Sequence, residues 1–167
     1  MNTIQTQNPD FRIRFATEVD VELILSFIKE LADYEHMSKE CVATAEVLSE
    51  SLFVKHQAEA IIGEYQGVPV GFALFFHNFS TFLGKANMFL EDLYVKQAFR
   101  GFGFGKELLA YLAVLCKERN CERLDWYCLK WNEPSIQFYQ KTGAKVVDEW
   151  IVYRAEGQAL HALAERL

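Results

Sequence analysis

The sequence predicts a fold of the α/β (α+β) class, with a mixed central sheet of six to seven strands and helices on both faces. Stretches rich in β-branched and aromatic residues alternate with stretches in which apolar residues recur at helical spacing. The dipeptide Gln66-Gly67 lies between two strand-like stretches and fits a tight hairpin turn, which makes the middle of the sheet antiparallel. We therefore expect a meander followed by a β-α-β unit rather than an all-parallel sheet.

The length of 167 residues suits a single domain with a full core. No linker, repeat or low-complexity segment divides the chain. We therefore treat residues 1–167 as one domain and expect residues 1–10 to form a loose N-terminal segment.

Local patterns predict the individual elements. Apolar and arginine side chains alternate over residues 11–15, which indicates a half-buried strand. Thr17 is a suitable N-cap for a helix over residues 18–34, and Thr44 for a second, shorter helix. The remaining expected elements are strands over 58–65, 68–77 and 88–95, a loop over 77–86, a helix over 103–119, a strand over 123–129, a helix from Pro134 to about Thr142, strands over 145–147 and 150–154, and a terminal helix over 159–167.

Composition excludes several classes of partner. The formal net charge is -6, and affinity for nucleic acid comes from clustered Lys and Arg, so we expect no nucleic acid. No apolar run reaches the ~18 residues that span a bilayer, and the N-terminal residues lack the features of a signal peptide, so we expect no membrane association. The four cysteines form no C-x-x-C pair, which argues against a metal and fits a reducing, cytoplasmic location.

A glycine-rich turn between a predicted strand and helix is the strongest chemical signal. Gly101, Gly103 and Gly105 stand at alternate positions where the helix must begin. The first N–H groups of a helix lack internal partners, so this turn predicts a site for a phosphate or pyrophosphate. It is not a P-loop, because Lys106 is followed by Glu107 instead of Ser or Thr. Nor does it have the glycine spacing of a Rossmann fingerprint.

The turn resembles a known signature. The pattern of Gln97, Arg100, Gly101, Gly103 and Gly105 is similar to the acetyl-CoA motif of the GCN5-related N-acetyltransferases (GNAT). The pairs Tyr34-Glu35 and Glu91-Asp92, the run Trp131–Ile136 and the pair Phe138-Tyr139 resemble the spermidine/spermine (diamine) N-acetyltransferase branch of that superfamily, over residues 11–154. The resemblance implies a GNAT fold, in which a splayed strand pair holds acetyl-CoA.

The resemblance also implies a set of residues that bind the cofactor. Amides of the turn hold the pyrophosphate, and the strand before it pairs with the pantetheine arm. The Leu93 amide then faces the thioester oxygen and stabilises the developing oxyanion. The implied residues are Leu93, Tyr94, Val95, Arg100, Gly101, Phe102, Gly103, Phe104, Gly105, Lys106, Asn132, Glu133, Pro134 and Ser135.

The same comparison gives candidate catalytic residues. Tyr139 is the general acid that protonates the departing thiolate. Glu91 and Asp92 are candidates to accept the proton of the attacking amine; we favour Glu91. In a regular strand the side chains of these two residues would point to opposite faces of the sheet. A bulge, which is usual in the family at this strand, would change the faces to which they point. The expected substrate contacts are Tyr34, Glu35, Glu91, Asp125, Trp126 and Tyr127.

The identity of the amine is left open. The candidate pocket carries four carboxylates and neither Lys nor Arg, which predicts a small polycationic substrate such as a diamine or polyamine. Phe82 stands where the diamine enzymes tend to have tryptophan, and the hairpin at Gln66-Gly67 is shorter than in animal enzymes. The alternatives are thialysine or another amine, and a non-catalytic acyl-CoA-binding module. The resemblance and the aromatic residues Trp150 and Tyr153 also predict a homodimer.

Overall fold

The computed structural model describes residues 3–167, which contain one six-stranded sheet in the order β1-β2-β3-β4-β5-β6. Every neighbouring pair is antiparallel except β5 and β6, which are parallel. The strands are β1 Thr3–Gln5, β2 Phe11–Phe15, β3 Glu59–Tyr65, β4 Val68–Ser80, β5 Lys85–Val95 and β6 Leu124–Trp126. The helices are α1 Val21–Tyr34, α2 Ala45–Ser49, α3 Phe104–Glu118, α4 Glu133–Lys141 and α5 Gly157–Ala164, with short 3-10 turns at Glu18–Asp20 and Gln97–Phe99 and a π turn at Glu50–Val54.

The chain divides into two compact units. The first ends at Tyr127 and contains the whole sheet with α1, α2 and α3. The second, Cys128–Leu167, contains α4 and α5. The expectation of one domain stays a prediction, and each unit is described by itself.

Helix α1 covers one face of the sheet, which we call the α1 face. Phe27 is fully buried and stacks on Phe72 of β4, with the ring centres 5.3 Å apart. The helix begins after a capping box formed by Thr17 and Asp20, and Arg14 of β2 donates to both oxygens of the Asp20 carboxylate. The cap at its N-terminus and its buried apolar face together fix the position of α1 on the sheet.

Helix α3 covers the opposite face, which we call the α3 face. Phe104, its first residue, stacks on Phe11 of β2 with ring centres 4.3 Å apart. Gly63 lies beneath this stack, and a Cβ there would come within 2.5 Å of the Phe11 ring and 3.5 Å of Leu108. The prediction of a mixed sheet with helices on both faces is therefore confirmed.

Several local predictions are also confirmed. Gln66 and Gly67 have φ of 51° and 78°, as a tight hairpin between β3 and β4 requires. The Thr44 hydroxyl accepts a hydrogen bond from the Val47 amide at 3.4 Å and caps α2. The side-chain oxygen Oδ1 of Asn132 accepts a hydrogen bond from the Ser135 amide at 3.3 Å and caps α4.

The predictions for four segments were wrong. The expected loop over 77–86 belongs largely to β4 and β5, which pair as far as Ser80 and Lys85, because their backbone groups satisfy each other across a longer hairpin. Residues 145–147 and 150–154 form no strand, although their side chains favour one; Trp150 and Tyr153 are 73% and 88% exposed. The strand expected over 123–129 is only Leu124–Trp126. The N-terminal segment expected to be loose contains β1, which pairs with β2 and was not predicted because its residues are mostly polar.

Candidate acyl-transfer site

An extra residue in β5 shapes the site. Leu74 of β4 pairs with Asp92, but the next residue, Phe75, pairs with Leu90, so Glu91 has no partner. This arrangement is a β-bulge. The bulge that the sequence analysis expected in this strand is therefore present, and it falls between the two candidate carboxylates.

Three carboxylates meet beside the bulge, and we call Glu35, Glu91 and Asp92 the acidic group. Burial raises the pKa of Asp92 to about 7, and the negative charges of Glu91 and Glu35 act in the same direction. Burial also raises the pKa of Glu35, which follows the last turn of α1, where the helix dipole disfavours a negative charge. Glu91 is exposed. The structure thus brings together three of the predicted site residues at the C-terminus of α1.

The ring of Tyr34, the neighbour of Glu35, contacts the guanidinium of Arg100. The guanidinium carbon of Arg100 lies 4.5 Å from the centre of the Tyr34 ring and 5.6 Å from that of Tyr94. The hydroxyl of Tyr94 donates to the Glu30 carboxylate at 3.0 Å. The sequence analysis expects Tyr34 to contact the substrate, and in the structure one face of its ring already contacts Arg100.

The glycine-rich turn has an open backbone surface. Gly101 and Gly103 have φ of 84° and 89°, which side-chain-bearing residues rarely adopt, and a Cβ at either would meet no protein atom within 4 Å. The side chain of Phe102, between them, packs towards the sheet, 5.7 Å from Phe104 and 6.3 Å from Tyr65 between ring centres. The turn is therefore anchored by its aromatic residue while its backbone faces outward.

Hydrogen bonds within the chain narrow the set of amides that could hold an anion. The Arg100 amide donates to the Gln97 carbonyl at 3.2 Å, and the Lys106 amide donates to the Gly103 carbonyl at 3.0 Å. These two amides, which were in the predicted set, already have partners. The candidate anion site therefore comprises the amides of residues 101–105, at the N-terminus of α3.

The outer edge of β5 is partly unpaired. β6 pairs only with residues 88–90 of β5, so among the described residues no strand pairs with the outer side of residues 91–95. The Lys96 amide donates to Val70 on the β4 side, at 2.9 Å, so by alternation the N–H groups of Leu93 and Val95 point outward. The outward carbonyl of Val95 accepts from Arg100 Nε at 3.0 Å. The Leu93 amide thus faces an edge that an extended ligand can pair with.

Three of the predicted substrate contacts, Asp125, Trp126 and Tyr127, lie on or directly after β6, and they do not all face the acidic group. Asp125 pairs with Phe89 and lies on the α1 face, the same face as Asp92. The ring of Tyr127 packs edge-on against Phe89, 4.9 Å between centres. Trp126 lies on the α3 face, opposite the acidic group, because its side chain alternates with that of Asp125.

The remaining predicted residues belong to the second unit. Glu133 accepts a hydrogen bond from Gln137 at 3.0 Å, and Pro134 lies in the first turn of α4. Tyr139 is half-buried in the last turn, with its ring centre 5.1 Å from that of Phe138. The Asn-Glu-Pro-Ser run therefore fixes the start of the helix that carries Tyr139.

Sequence reasoning missed one polar pair. Asn78 of β4 and Asn87 of β5 are cross-strand partners on the α1 face. Asn87 is 2% exposed, and the buried side-chain oxygens of both residues accept no hydrogen bond from the described residues. The expected loop over 77–86 concealed this pair; the alternation of Phe76, Asn78 and Ser80 with outward residues was the available signal.

The arrangement has the parts needed for acyl transfer to an amine. It has carboxylates that can accept a proton, an edge amide that can stabilise an oxyanion, and helix-start amides suited to a phosphate. Among residues 3–167, no group of three or more His, Cys, Asp or Glu side chains could hold a metal ion. No helix in the described part of the chain is long and apolar enough to cross a membrane.

Comparison with known proteins identifies the family of this chain. Residues 25–144 match the model of the acetyltransferase (GNAT) family. A thialysine N-epsilon-acetyltransferase of Bos taurus is 35% identical over 164 residues, covering 91% of this chain and 96% of that protein. The human spermidine/spermine N(1)-acetyltransferase-like protein 1 is 30% identical, over 96% of this chain and 24% of that protein. An integron cassette protein of V. cholerae has a similar structure, with a TM-score of 0.79 at 27% identity over 93% of this chain and 98% of that one. The chain therefore belongs to the acetyltransferase (GNAT) family.

Proposed function

We propose that this protein transfers the acetyl group of acetyl-CoA to the primary amine of a small, positively charged substrate, by direct attack in a ternary complex. The observation that carries the proposal is the acidic group, which lies beside the bulge in β5 where the strand edge becomes unpaired. The family supports acetyl transfer with acetyl-CoA as co-substrate.

Acetyl-CoA fits the groups that face outward along β5 and the turn after it. The amides of residues 101–105 would bind its pyrophosphate, because they lie at the N-terminus of α3 and a Cβ at Gly101 or Gly103 would meet no protein atom. The unpaired edge of β5 would pair with the pantetheine arm, and the Leu93 amide would face the thioester oxygen.

Asp92 is the best placed base. An alkyl ammonium has a pKa of ~10, and it must lose a proton before its nitrogen can attack. A half-buried carboxyl with a pKa of about 7 is matched to that task at neutral pH, whereas Glu91 is exposed. We therefore assign the proton acceptor to Asp92, directly or through water, and keep Glu91 as a substrate contact, which reverses the order of preference from the sequence.

The remaining steps follow from the balance of the reaction. The neutral amine nitrogen attacks the carbonyl carbon of the thioester, and the Leu93 N–H stabilises the oxyanion. The C–S bond then breaks, and the thiolate takes a proton from Tyr139. The amine nitrogen passes its second proton, directly or through water, to the Tyr139 phenolate, and Asp92 releases the first proton to solvent. The acetylated amine and the CoA thiol then leave.

The negative charge of the candidate pocket favours a positively charged substrate. Glu35, Glu91, Asp92 and Asp125 place negative charge at the α1 face, which attracts an amine with a second positive charge. Two substrates fit: the bovine relative favours thialysine or a similar amino acid, and the human relative favours a polyamine. We propose a cytoplasmic enzyme with neither a nucleic-acid nor a membrane partner, and a homodimer, for which the exposed side chains of Trp150 and Tyr153 provide apolar surface.

The test is a panel of amines offered with acetyl-CoA, with transfer read as release of free thiol. We expect thialysine, a diamine or spermidine to have a higher kcat/KM than a monoamine of similar size. Equal kcat/KM for all of these would remove the electrostatic argument. Binding of acetyl-CoA without transfer to any amine would favour the alternative, a non-catalytic acyl-CoA-binding module.

A further inference from the structure

The α1 face carries a polar row beyond the acidic group. Successive cross-strand rows along β4 and β5 are Leu74 with Asp92, Phe76 with Phe89, and Asn78 with Asn87. The rings of Phe76 and Phe89 lie 5.2 Å apart between centres and form an apolar floor between the carboxylate and the two amides. A strip with one carboxylate end, an apolar middle and an amide end fits an elongated molecule with a polar group at each end.

The two amides are poorly explained as structural residues. A buried carbonyl oxygen without a hydrogen bond costs free energy, and almost all such groups in folded proteins have a partner. Here both side-chain oxygens of a facing pair lack a hydrogen bond, on the same face as the proposed reaction centre and two rows away from it. An apolar pair would stabilise the same strands at lower cost, so the two amides point to a ligand.

We propose that Asn78 and Asn87 bind the α-ammonium and α-carboxylate of an amino-acid substrate whose side-chain amine is acetylated. This inference rests on the proposed function and narrows its substrate class. Each amide offers an oxygen that accepts and an NH2 group that donates, and a half-turn about its terminal torsion exchanges the two. The pair can therefore bind a head group that carries both a donor and an acceptor, whereas a polyamine offers donors and cations alone.

The length of the strip agrees with this class. Leu74, which pairs with Asp92 at the bulge, is four residues from Asn78 along β4, about 13 Å at ~3.3 Å per residue. An amino acid with a side chain of lysine length carries its terminal amine about 6 Å from Cα. With the carboxylate beyond Cα and a hydrogen bond of ~2.9 Å at each end, the molecule spans about 14 Å, close to this length.

The experiment compares thialysine with bis(2-aminoethyl) sulfide, which is the same molecule without its carboxylate. We expect Asn78→Leu and Asn87→Leu to lower kcat/KM for thialysine about tenfold or more, mainly through KM, and to change that for the diamine little. Asn87→Asp should move the preference towards the diamine, because its carboxylate repels the α-carboxylate. His77→Leu is the matched control, since His77 is on the same strand but on the opposite face, and it should leave the ratio unchanged.

A structural role for the amides gives a different result. If both leucine variants melt at the wild-type temperature or higher and keep the wild-type ratio of kcat/KM for the two amines, the inference is wrong. The binding of thialysine, titrated by calorimetry into the wild type and Asn78→Leu in the presence of CoA, decides the point independently of turnover. A protein that acetylates no amine but loses thialysine affinity in the variant contradicts the proposed function and supports only the binding of an amino acid by the two amides.

Discussion

The guanidinium of Arg100 stacks on the ring of Tyr34, 4.5 Å from its centre, and its Nε donates to the Val95 carbonyl at 3.0 Å. One side chain thus connects the last residue of α1, the end of β5 and the start of the glycine-rich turn. The turn and the acidic group are therefore held by a common contact, although we propose a different ligand for each.

Arg100→Ala should loosen this connection. We expect a loss of about 1–2 kcal/mol in the free energy of unfolding, because a cation–π contact and a charged hydrogen bond are removed, and a weaker affinity for CoA. Urea denaturation and calorimetry measure the two effects. Arg123→Ala changes an exposed arginine before β6 and is the control. Wild-type stability and CoA affinity in Arg100→Ala would contradict the linking role.

Gly103→Val should abolish binding of acetyl-CoA. The residue has φ of 89°, so valine is strained there, and its side chain would fill the space that the pyrophosphate needs. Gly84→Val is the matched control: its φ is 68° and its Cβ would also meet nothing, but it lies in the turn between β4 and β5, at the other end of β5. If Gly103→Val is folded and binds CoA with the affinity of Gly84→Val, the cofactor site is misplaced.

Asp92→Asn should remove the base and the pH dependence that it creates. Because catalysis needs the carboxylate, kcat/KM of the wild type should rise through pH 7, and the variant should be slower by ~10²–10⁴-fold and lack this rise. Asp148→Asn, an exposed aspartate in the second unit, is the control. A rise near pH 7 that persists in Asp92→Asn would assign the proton acceptor elsewhere.

The same substitution makes a prediction for stability. The folded-state pKa of Asp92 is raised from 3.8 to about 7, so the fold loses stability as the pH rises between these values, where the unfolded chain is ionised and the folded chain is not. At pH 8 we expect Asp92→Asn to be more stable than the wild type by about 1–2 kcal/mol, which allows for solvent screening. The difference should shrink towards pH 4. Urea denaturation at both pH values measures it, and a less stable variant at pH 8 would contradict the assignment.

Tyr139→Phe should slow the release of CoA thiol. We expect kcat to fall by ~10²-fold or more with little change in KM for acetyl-CoA, since in the proposed mechanism the phenol acts on the leaving sulfur and not on cofactor binding. Tyr153→Phe, at a tyrosine that is 88% exposed, controls for loss of a hydroxyl. An unchanged single-turnover rate would exclude Tyr139 as the general acid.

Trp150→Glu combined with Tyr153→Glu should convert the proposed dimer to a monomer. Both side chains are exposed, and a charge there would be buried in an interface. Sedimentation equilibrium at micromolar concentration measures the mass. Val19→Glu, at another exposed apolar residue, should leave it unchanged. A monomeric wild type would refute the proposal.

Local signals predicted elements where the neighbouring residues alone decide the structure. Thr44 and Asn132 cap helices through hydrogen bonds three residues away, and the turn at Gln66-Gly67 needs only two residues with positive φ. The longer β4–β5 hairpin depends on pairing between residues 80 and 85, which turn-forming residues such as Asn78 concealed. The apolar stretch 150–154 has strand composition but no strand partner within the described chain.

The candidate site was predictable in its residue types but not in its grouping. The motif around Gly103 and the pair Glu91-Asp92 were recognisable in the sequence, because they are contiguous. The effect of Glu35 on Asp92 depends on where α1 ends above the sheet, and the position of Arg100 over Tyr34 depends on two distant elements. Such contacts come from tertiary packing, which local propensity does not encode.

The one-residue bulge at Glu91 makes the length of β5 part of the site. Phe89 and Asp92 are an odd number of positions apart and yet share a face, which a regular strand does not allow. Deleting Glu91 would leave Asn87 and Phe89 on the face they now occupy, because Phe89 and Asp92 would then be two positions apart in a regular strand. The deletion would remove only the local twist that the bulge adds. Loss of a second residue between Asn87 and Asp92 has no bulge to absorb it, and it would exchange the whole lining at once. Strand β5 can therefore shorten by one residue here and keep its lining, but not by two.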